Sequence, residues 1–129
     1  MLKATSTNTT TVSANGTLPL NLVKNTFPYV TLKDNIVTIN KAGVYQISAT
    51  INATASTSEE NIGLYNNNVL IPETDVSIDA TSGDVYQIVI NDIESVIPST
   101  NLNEKVKLSL KTTSGIIVDT INFNIIELR

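Results

Sequence analysis

From Val44 to Asn52 the chain alternates without a break, with Tyr45, Ile47, Ala49 and Ile51 on one parity and Gln46, Ser48, Thr50 and Asn52 on the other. A strand sends successive side chains to opposite faces, so this pattern buries one face and leaves the other polar. The same rhythm returns where Tyr86, Ile88 and Ile90 alternate with Gln87 and Asn91, and where Val106, Leu108 and Leu110 alternate with Lys105, Lys107 and Ser109. No window of about eleven residues carries apolar positions at helical spacing. Ile, Val and Thr dominate while the usual helix formers are sparse, which also favours sheet. An all-β chain with residues 1–129 in one domain is predicted.

Turn chemistry divides the strands. Leu2 to Thr7 reads as the first, followed by a Thr-rich stretch from Thr9 to Ser13 and a turn at Asn15-Gly16. Leu18 to Val23 is extended, with Pro19 confining it to an edge or a strand start. Phe27-Pro28 is a break, and Asp34-Asn35 turns into Ile36 to Ile39. Lys41-Ala42-Gly43 turns into the strand from Val44, where Gly43 is expected to take a positive φ. Further on come Ile62 to Tyr65, the turn Asn66-Asn67-Asn68, Val69 to Ile71, Val76 to Ile78, and Val85 to Ile93 after Ser82-Gly83-Asp84. Pro98 to Asn103 reads as a loop, and Ser114-Gly115 turns into a last strand from Ile116 to Leu128. About eight to ten strands at this spacing imply a sandwich or barrel.

The last strand speaks to assembly. Phe123 and Ile125 share one parity, Ile126 and Leu128 the other, so its end is apolar on both faces. A strand of a lone sandwich buries one face and wets the other. The second face is therefore expected to meet another subunit; the alternatives are closure into a barrel end or cover by a loop.

Charge and residue usage remove much chemistry. A net charge of −4, from 12 acidic and 8 basic residues, argues against a nucleic-acid footprint. With no Cys and no His, Ser–His and Cys–His nucleophile pairs are excluded, as are thiolate and imidazole metal sites. No enzymatic activity and no cofactor are expected. The carboxylate pairs Glu59 with Glu60, Glu73 with Asp75, and Asp92 with Glu94 fall in loops or at polar strand positions and read as solvated acids. Asp75, Asp79 and Asp84 could offer oxygens to a hard cation but lack the spacing of a calcium loop. Three Asn-x-Thr sequons begin at Asn8, Asn15 and Asn52, as a Thr- and Asn-rich chain produces readily. No apolar run approaches a membrane span of about 18 residues and no secretory signal opens the chain, so neither membrane insertion nor a Sec route is expected.

The segment Ile36-Val37-Thr38-Ile39-Asn40-Lys41-Ala42-Gly43-Val44-Tyr45-Gln46-Ile47 resembles the "apolar-x-apolar, turn, Gly-x-Tyr-x-apolar" signature of tumour-necrosis-factor-like and complement-globular-head jelly rolls. It is especially similar to the C-terminal domain of the collagen-like glycoproteins of bacterial spore surfaces, and to phage head-fibre or decoration modules. Asn67-Asn68-Val69-Leu70-Ile71-Pro72-Glu73-Thr74 resembles that family's "Asn-Gly-x-x-x-Pro-Gly-Thr" hairpin, and Phe123-Asn124-Ile125-Ile126-Glu127-Leu128 its closing strand. Asn68 and Glu73 stand where glycines are usual, and no collagen-like stalk precedes the domain. The resemblance implies a jelly roll of about ten antiparallel strands, forming a compact homotrimer with its first and last strands adjacent in the inner sheet.

On that frame Gly43, Tyr45, Ile47, Phe123 and Ile125 are the expected core signature, with the Tyr45 hydroxyl finding a partner near the sheet edge. Gln46, Ser48, Thr50, Asn124, Ile126 and Leu128 are expected to face the threefold axis, unless that face is simply solvated. Tyr29 and Tyr65, with Asn66, Asn67 and Asn68 beside the latter, are the first places to seek a ligand, although backbone needs explain the Asn run as well. The expected function is a structural surface module: a head fibre, decoration or appendage of a phage virion, or an outer-layer protein of a spore. Its partners would be itself and other virion or surface-layer proteins. The alternative is an adhesive head that binds a host glycan or receptor. The chain from Met1 to Arg129 reads as complete, without stalk or signal, which favours the structural reading and a virion or extracellular surface.

Overall fold

The computed structural model describes residues 1–96 and 106–128, so the expected Pro98 to Asn103 loop and Lys105 lie outside the described residues. In chain order the strands are β1 (Leu2–Ser6), β2 (Thr10–Val12), β3 (Asn21–Asn25), β4 (Val30–Lys33), β5 (Ile36–Ile39) and β6 (Gly43–Thr54). They continue as β7 (Glu59–Asn66), β8 (Val69–Leu70), β9 (Val76–Asp79), β10 (Val85–Val96), β11 (Val106–Lys111) and β12 (Ile116–Glu127). A 3-10 turn at Pro72–Thr74 separates β8 from β9. Among the described residues twelve strands stand against the about ten implied by the resemblance; β2 and β8 are only three and two residues long.

Every pairing is antiparallel. One sheet runs β10-β6-β12-β1-β3, with β2 also on β12; the other runs β4-β5-β11-β7-β8, with β9 on β7. The first and last long strands are neighbours, Leu2 opposite Ile125 and Ala4 opposite Phe123. Pairing strands so distant in sequence across two facing sheets is the jelly-roll arrangement.

Sequence periodicity becomes packing most plainly in β6. Tyr45, Ile47, Ala49, Ile51 and Ala53 are buried while the residues between them are not. Their partners in β12, Ile121, Phe123 and Ile125, are buried on the same face, and Val37, Ile39, Ile62, Leu64, Leu108 and Leu110 close the core from the opposite sheet. Tyr45 and Phe123 are the largest fully buried side chains, each worth about 1.5–3 kcal/mol or more of apolar transfer. The Tyr45 hydroxyl reaches the rim and donates to the Lys41 carbonyl at 2.9 Å.

Two local expectations are corrected. Gly43 does not take a positive φ; the glycines that do are Gly83 and Gly115. The chain has already turned before Gly43, which opens β6 opposite Val96 in extended form. The extended piece expected from Leu18 to Val23 is instead a strand from Asn21 to Asn25, preceded by Leu18 and Leu20 buried in the core. Pro19 cannot donate to a ladder, so regular pairing begins only beyond it.

Candidate functional site

The outer face of the β10-β6-β12 sheet is ordered in rows by strand register. Ile93, Gln46 and Ile126 form one row, and Asn91, Ser48, Asn124 and Lys3 the next. Val89, Thr50, Asn122 and Thr5 follow, then Gln87, Asn52 and Thr120, and finally Val85, Thr54 and Ile117. Gln46, Ser48, Thr50, Asn124 and Ile126 therefore share one surface, as their parity predicts. Leu128 continues that parity just past β12, where its N–H donates to the Val44 carbonyl at 2.7 Å.

The chemistry of this face is unusual for open surface. Val85, Val89 and Ile93 are 76%, 54% and 62% exposed, and Ile126 and Leu128 are 41% and 46% exposed, so no loop among the described residues covers the second face of β12. Between the aliphatic residues lie amides and hydroxyls already joined sideways. Gln87 Nε2 donates to Asn52 Oδ1 at 3.0 Å, and Asn52 Nδ2 donates to Thr120 Oγ1 at 2.8 Å. From Thr120 to Leu128, no charged side chain among the described residues stands at an outer position of β10, β6 or β12. The nearest acid, Asp119, sits at the bulge in β12 and accepts from the Thr54 hydroxyl at 2.8 Å.

The candidate ligand loop is shaped by backbone demands. Asn67 and Asn68 both have positive φ, 51° and 65°, and close the β7–β8 hairpin as a two-residue turn. Asn66 Oδ1 accepts the Lys107 N–H at 3.1 Å, which ties the hairpin to β11. The Lys111 ammonium lies 5.6 Å from the centre of the half-buried Tyr65 ring. At the end of the motif Thr74 is buried, accepting from the Leu64 N–H at 2.9 Å and donating to the Ile71 carbonyl at 2.7 Å. Tyr29 belongs to a cluster with Phe27, 5.3 Å away between ring centres, and its hydroxyl donates to Glu127. The Glu127 bond pushes the Tyr29 phenol up to about 12.

The acids depart most from expectation. Glu60 is not solvated but fully buried, because β7 turns it toward Tyr86 and Ser114. Its carboxylate accepts the Ser56 N–H at 2.9 Å, the Thr57 hydroxyl at 3.1 Å, the Ser114 hydroxyl at 3.3 Å and the Tyr86 hydroxyl at 3.4 Å. Burial first, and the Glu60 charge second, push the Tyr86 phenol upward. Glu60 forms the floor of a polar cleft of about 420 Å³ lined also by Glu59, Asn61, Ser77, Asp79, Thr113 and Ser114. Asp92 and Glu94 also point inward rather than to solvent. Asp75 accepts from Asn61 and Asp84 from the Thr81 N–H, while Asp79 pairs with Glu59 across the β7–β9 ladder. Among the described residues no group of three or more acids is placed to hold a metal ion, and no helix is long and apolar enough to cross a membrane.

Periodicity missed the contribution of β10 to the outer face. Its signal was present: Val85, Val89 and Ile93 occupy the parity that Gln87 and Asn91 make polar. The burial of Glu60 had no such signal, since beside the local Ser56 and Thr57 it depends on Tyr86 and Ser114, 26 and 54 residues away.

The sequence matches no protein-family model and no curated protein. Solved structures do match in fold. The globular domain of zebrafish complement 1qA superposes with a TM-score of 0.72 at 10% identity, covering 99% of this chain and 96% of that one. The Eiger TNF of S. frugiperda gives 0.70 at 13% identity over 98% and 92%, and the PRD1 vertex protein P5 gives 0.58 at 14% over 99% and 96%. The chain thus has the jelly-roll fold of tumour-necrosis-factor-like proteins and complement globular heads, a fold it also shares with a phage vertex protein.

Proposed function

We propose that this chain is a structural surface module that assembles as a homotrimer through the uncharged face of the β10-β6-β12 sheet. The single observation that carries this reading is the chemistry of that face. Val89, Ile93, Ile126 and Leu128 stand exposed among amides and hydroxyls, and charge is withdrawn from the outer positions between Thr120 and Leu128. Interface cores are depleted of charged residues because a buried unpaired charge is strongly unfavourable. A solvated sheet face would carry lysines and glutamates instead. The amide rows offer donors and acceptors that neighbouring copies can satisfy around a closed ring.

The setting we propose is the exterior of a particle, as a head fibre or capsid decoration of a phage virion, with other virion proteins as attachment partners. The structural similarity to the PRD1 vertex protein P5 supports it. We propose no catalytic role; a sequence with neither His nor Cys supports that. The competing reading, a glycan- or receptor-binding head centred on Tyr65 and Asn66 to Asn68, is not favoured, because the turn geometry and the Lys107 bond explain those residues.

Analytical ultracentrifugation tests the assembly. The expected result is a single trimeric species at micromolar concentration that Ile93→Asp and Ile126→Asp convert to folded monomer. A folded monomer from the unsubstituted chain overturns the proposal. Saturable binding on a glycan array, abolished by Tyr65→Ala, would instead establish the recognition reading.

A further inference from the structure

The two faces of β10 carry opposite chemistry. Its outer positions are aliphatic or amide, whereas its inner positions begin with buried Ile88 and Ile90 and then turn acidic at Asp92 and Glu94. The alternation is unbroken, so both acids point between the sheets, Asp92 opposite Ile47 and Glu94 opposite Tyr45. Two positions apart on one strand face, their Cα atoms are about 7 Å apart and their carboxyl groups can meet.

Asp92 Oδ2 is buried and accepts no hydrogen bond from any donor in the structure. An ionised oxygen there has lost its water and gained nothing in exchange. A proton on Glu94 supplies the missing donor, since a protonated carboxyl carries one O–H. Among the described residues the facing groups offer no alternative donor. From β6 come Ile47 and Tyr45, whose hydroxyl is directed to the Lys41 carbonyl, and from the Pro72–Thr74 turn comes the further acid Glu73. Burial, then the hydrogen bond to Asp92, then the charges of Asp92 and Glu73 push the Glu94 carboxyl up to about 7.

We propose that Asp92 and Glu94 share one proton and form a latch: while the proton is held, the end of β10 packs beside the Pro72–Thr74 turn without the full repulsion of its Glu73. Glu94 donates to Asp92 Oδ2, and loss of the proton leaves Asp92 and Glu94 both charged beside the exposed Glu73. The folded chain keeps a proton that the unfolded chain releases between the ordinary 4.5 and about 7. The stabilisation is therefore complete below that window, falls across it as pH rises, and is absent above it. This inference does not depend on the trimer.

Carboxyl NMR titration of the full chain provides the direct test, and the expected result is a glutamate carbon with a midpoint near 7. Thermal unfolding at one protein concentration provides the second. Glu94→Gln keeps a donor for Asp92 without titrating, so it should melt above the unsubstituted protein at about pH 8, with the difference shrinking or reversing at about pH 5. If that variant does not fold, Asp92→Asn should bring the Glu94 midpoint down toward about 4.3. Carboxyl midpoints all in the ordinary range, an equal melting difference at both pH values, or an unmoved midpoint in Asp92→Asn would each overturn the latch.

Discussion

The Tyr29 hydroxyl donates to the Glu127 carboxylate across 98 residues of sequence and so ties the end of β12 to the segment leading into β4. Lys41 closes the arrangement from the other side, its ammonium 3.4 Å from Glu127 Oε1 and 4.7 Å from the centre of the Tyr29 ring. The bond from Tyr29, and then Lys41, hold the Glu127 carboxyl below its usual range. A depressed carboxylate contributes stability that is present above its unfolded value and is lost as pH falls through its folded value. Glu127→Gln should therefore lower stability at neutral pH and leave the strongly acid end almost unchanged, which flattens the acid limb of a plot of stability against pH. Urea melts of both proteins from neutral pH down through the acid range measure this; an identical acid limb refutes it.

Glu60 should be far more costly to remove, because its carboxylate serves four donors at once in a fully buried site. Glu60→Ala removes an acceptor from the half-buried Tyr86 and Ser114 hydroxyls, while the exposed Ser56 and Thr57 can turn to water, at an expected loss of about 1–3 kcal/mol. Glu60→Gln still accepts through one oxygen and should lose about half as much. Equilibrium denaturation read through the midpoint at constant slope gives both values.

Asn68 sits at φ 65° where the resembling hairpin usually has glycine. Asparagine tolerates the left-handed region better than other residues with a Cβ, and β-branched residues tolerate it least. Asn68→Gly should be neutral or stabilising by up to about 0.5 kcal/mol, whereas Asn68→Val should destabilise by about 1–2 kcal/mol. The ordering of the three proteins in thermal melts, Gly at or above Asn and Val lowest, is the observation to make.

How far the sequence could be read depended on whether a signal was local. Tyr45, Ile47, Phe123 and Ile125 are where their parity puts them, since alternation alone decides which face of a long strand is buried. Asn15, Asp34, Asn35, Asn67 and Asn68, all at turns expected from residue type, take positive φ for the reason asparagine and aspartate are chosen there. Gly43 misled because a glycine beside a turn need not be the residue that makes it. Glu60, Asp92 and Glu94 were illegible for a different reason. A carboxylate's burial is set by donors and acids that meet only after the sheets stack, such as Ser114 with Glu60 or Glu73 with Glu94. The outer face lay between these cases: its β6 and β12 rows followed from parity, while parity also grouped Val85, Val89 and Ile93 of β10 but only the register Val89–Thr50 and Ile93–Gln46 set them beside those rows.

The proposed interface makes one further demand, because an association whose contact positions on β10, β6 and β12 carry no charge, with Lys3 of β1 at the margin, should respond little to salt. Exposed ion pairs weaken as the Debye length contracts from about 10 Å at 0.1 M to about 3 Å at 1 M salt, but the aliphatic Val89, Ile93 and Ile126 have no charge to screen. The trimer dissociation constant should change by less than about threefold over that range, and any change should be toward tighter binding. Asn122→Lys, in the row between Thr50 and Thr5, introduces one ammonium per copy into that surface. It should weaken the assembly by tenfold or more, about 1.4 kcal/mol or above, and partial recovery at high salt would show that repulsion among the copies is the cause. Sedimentation equilibrium across a salt series reads both effects. A strong salt dependence of the unsubstituted protein would mean that charged edges, not the face of β10, β6 and β12, hold the copies together.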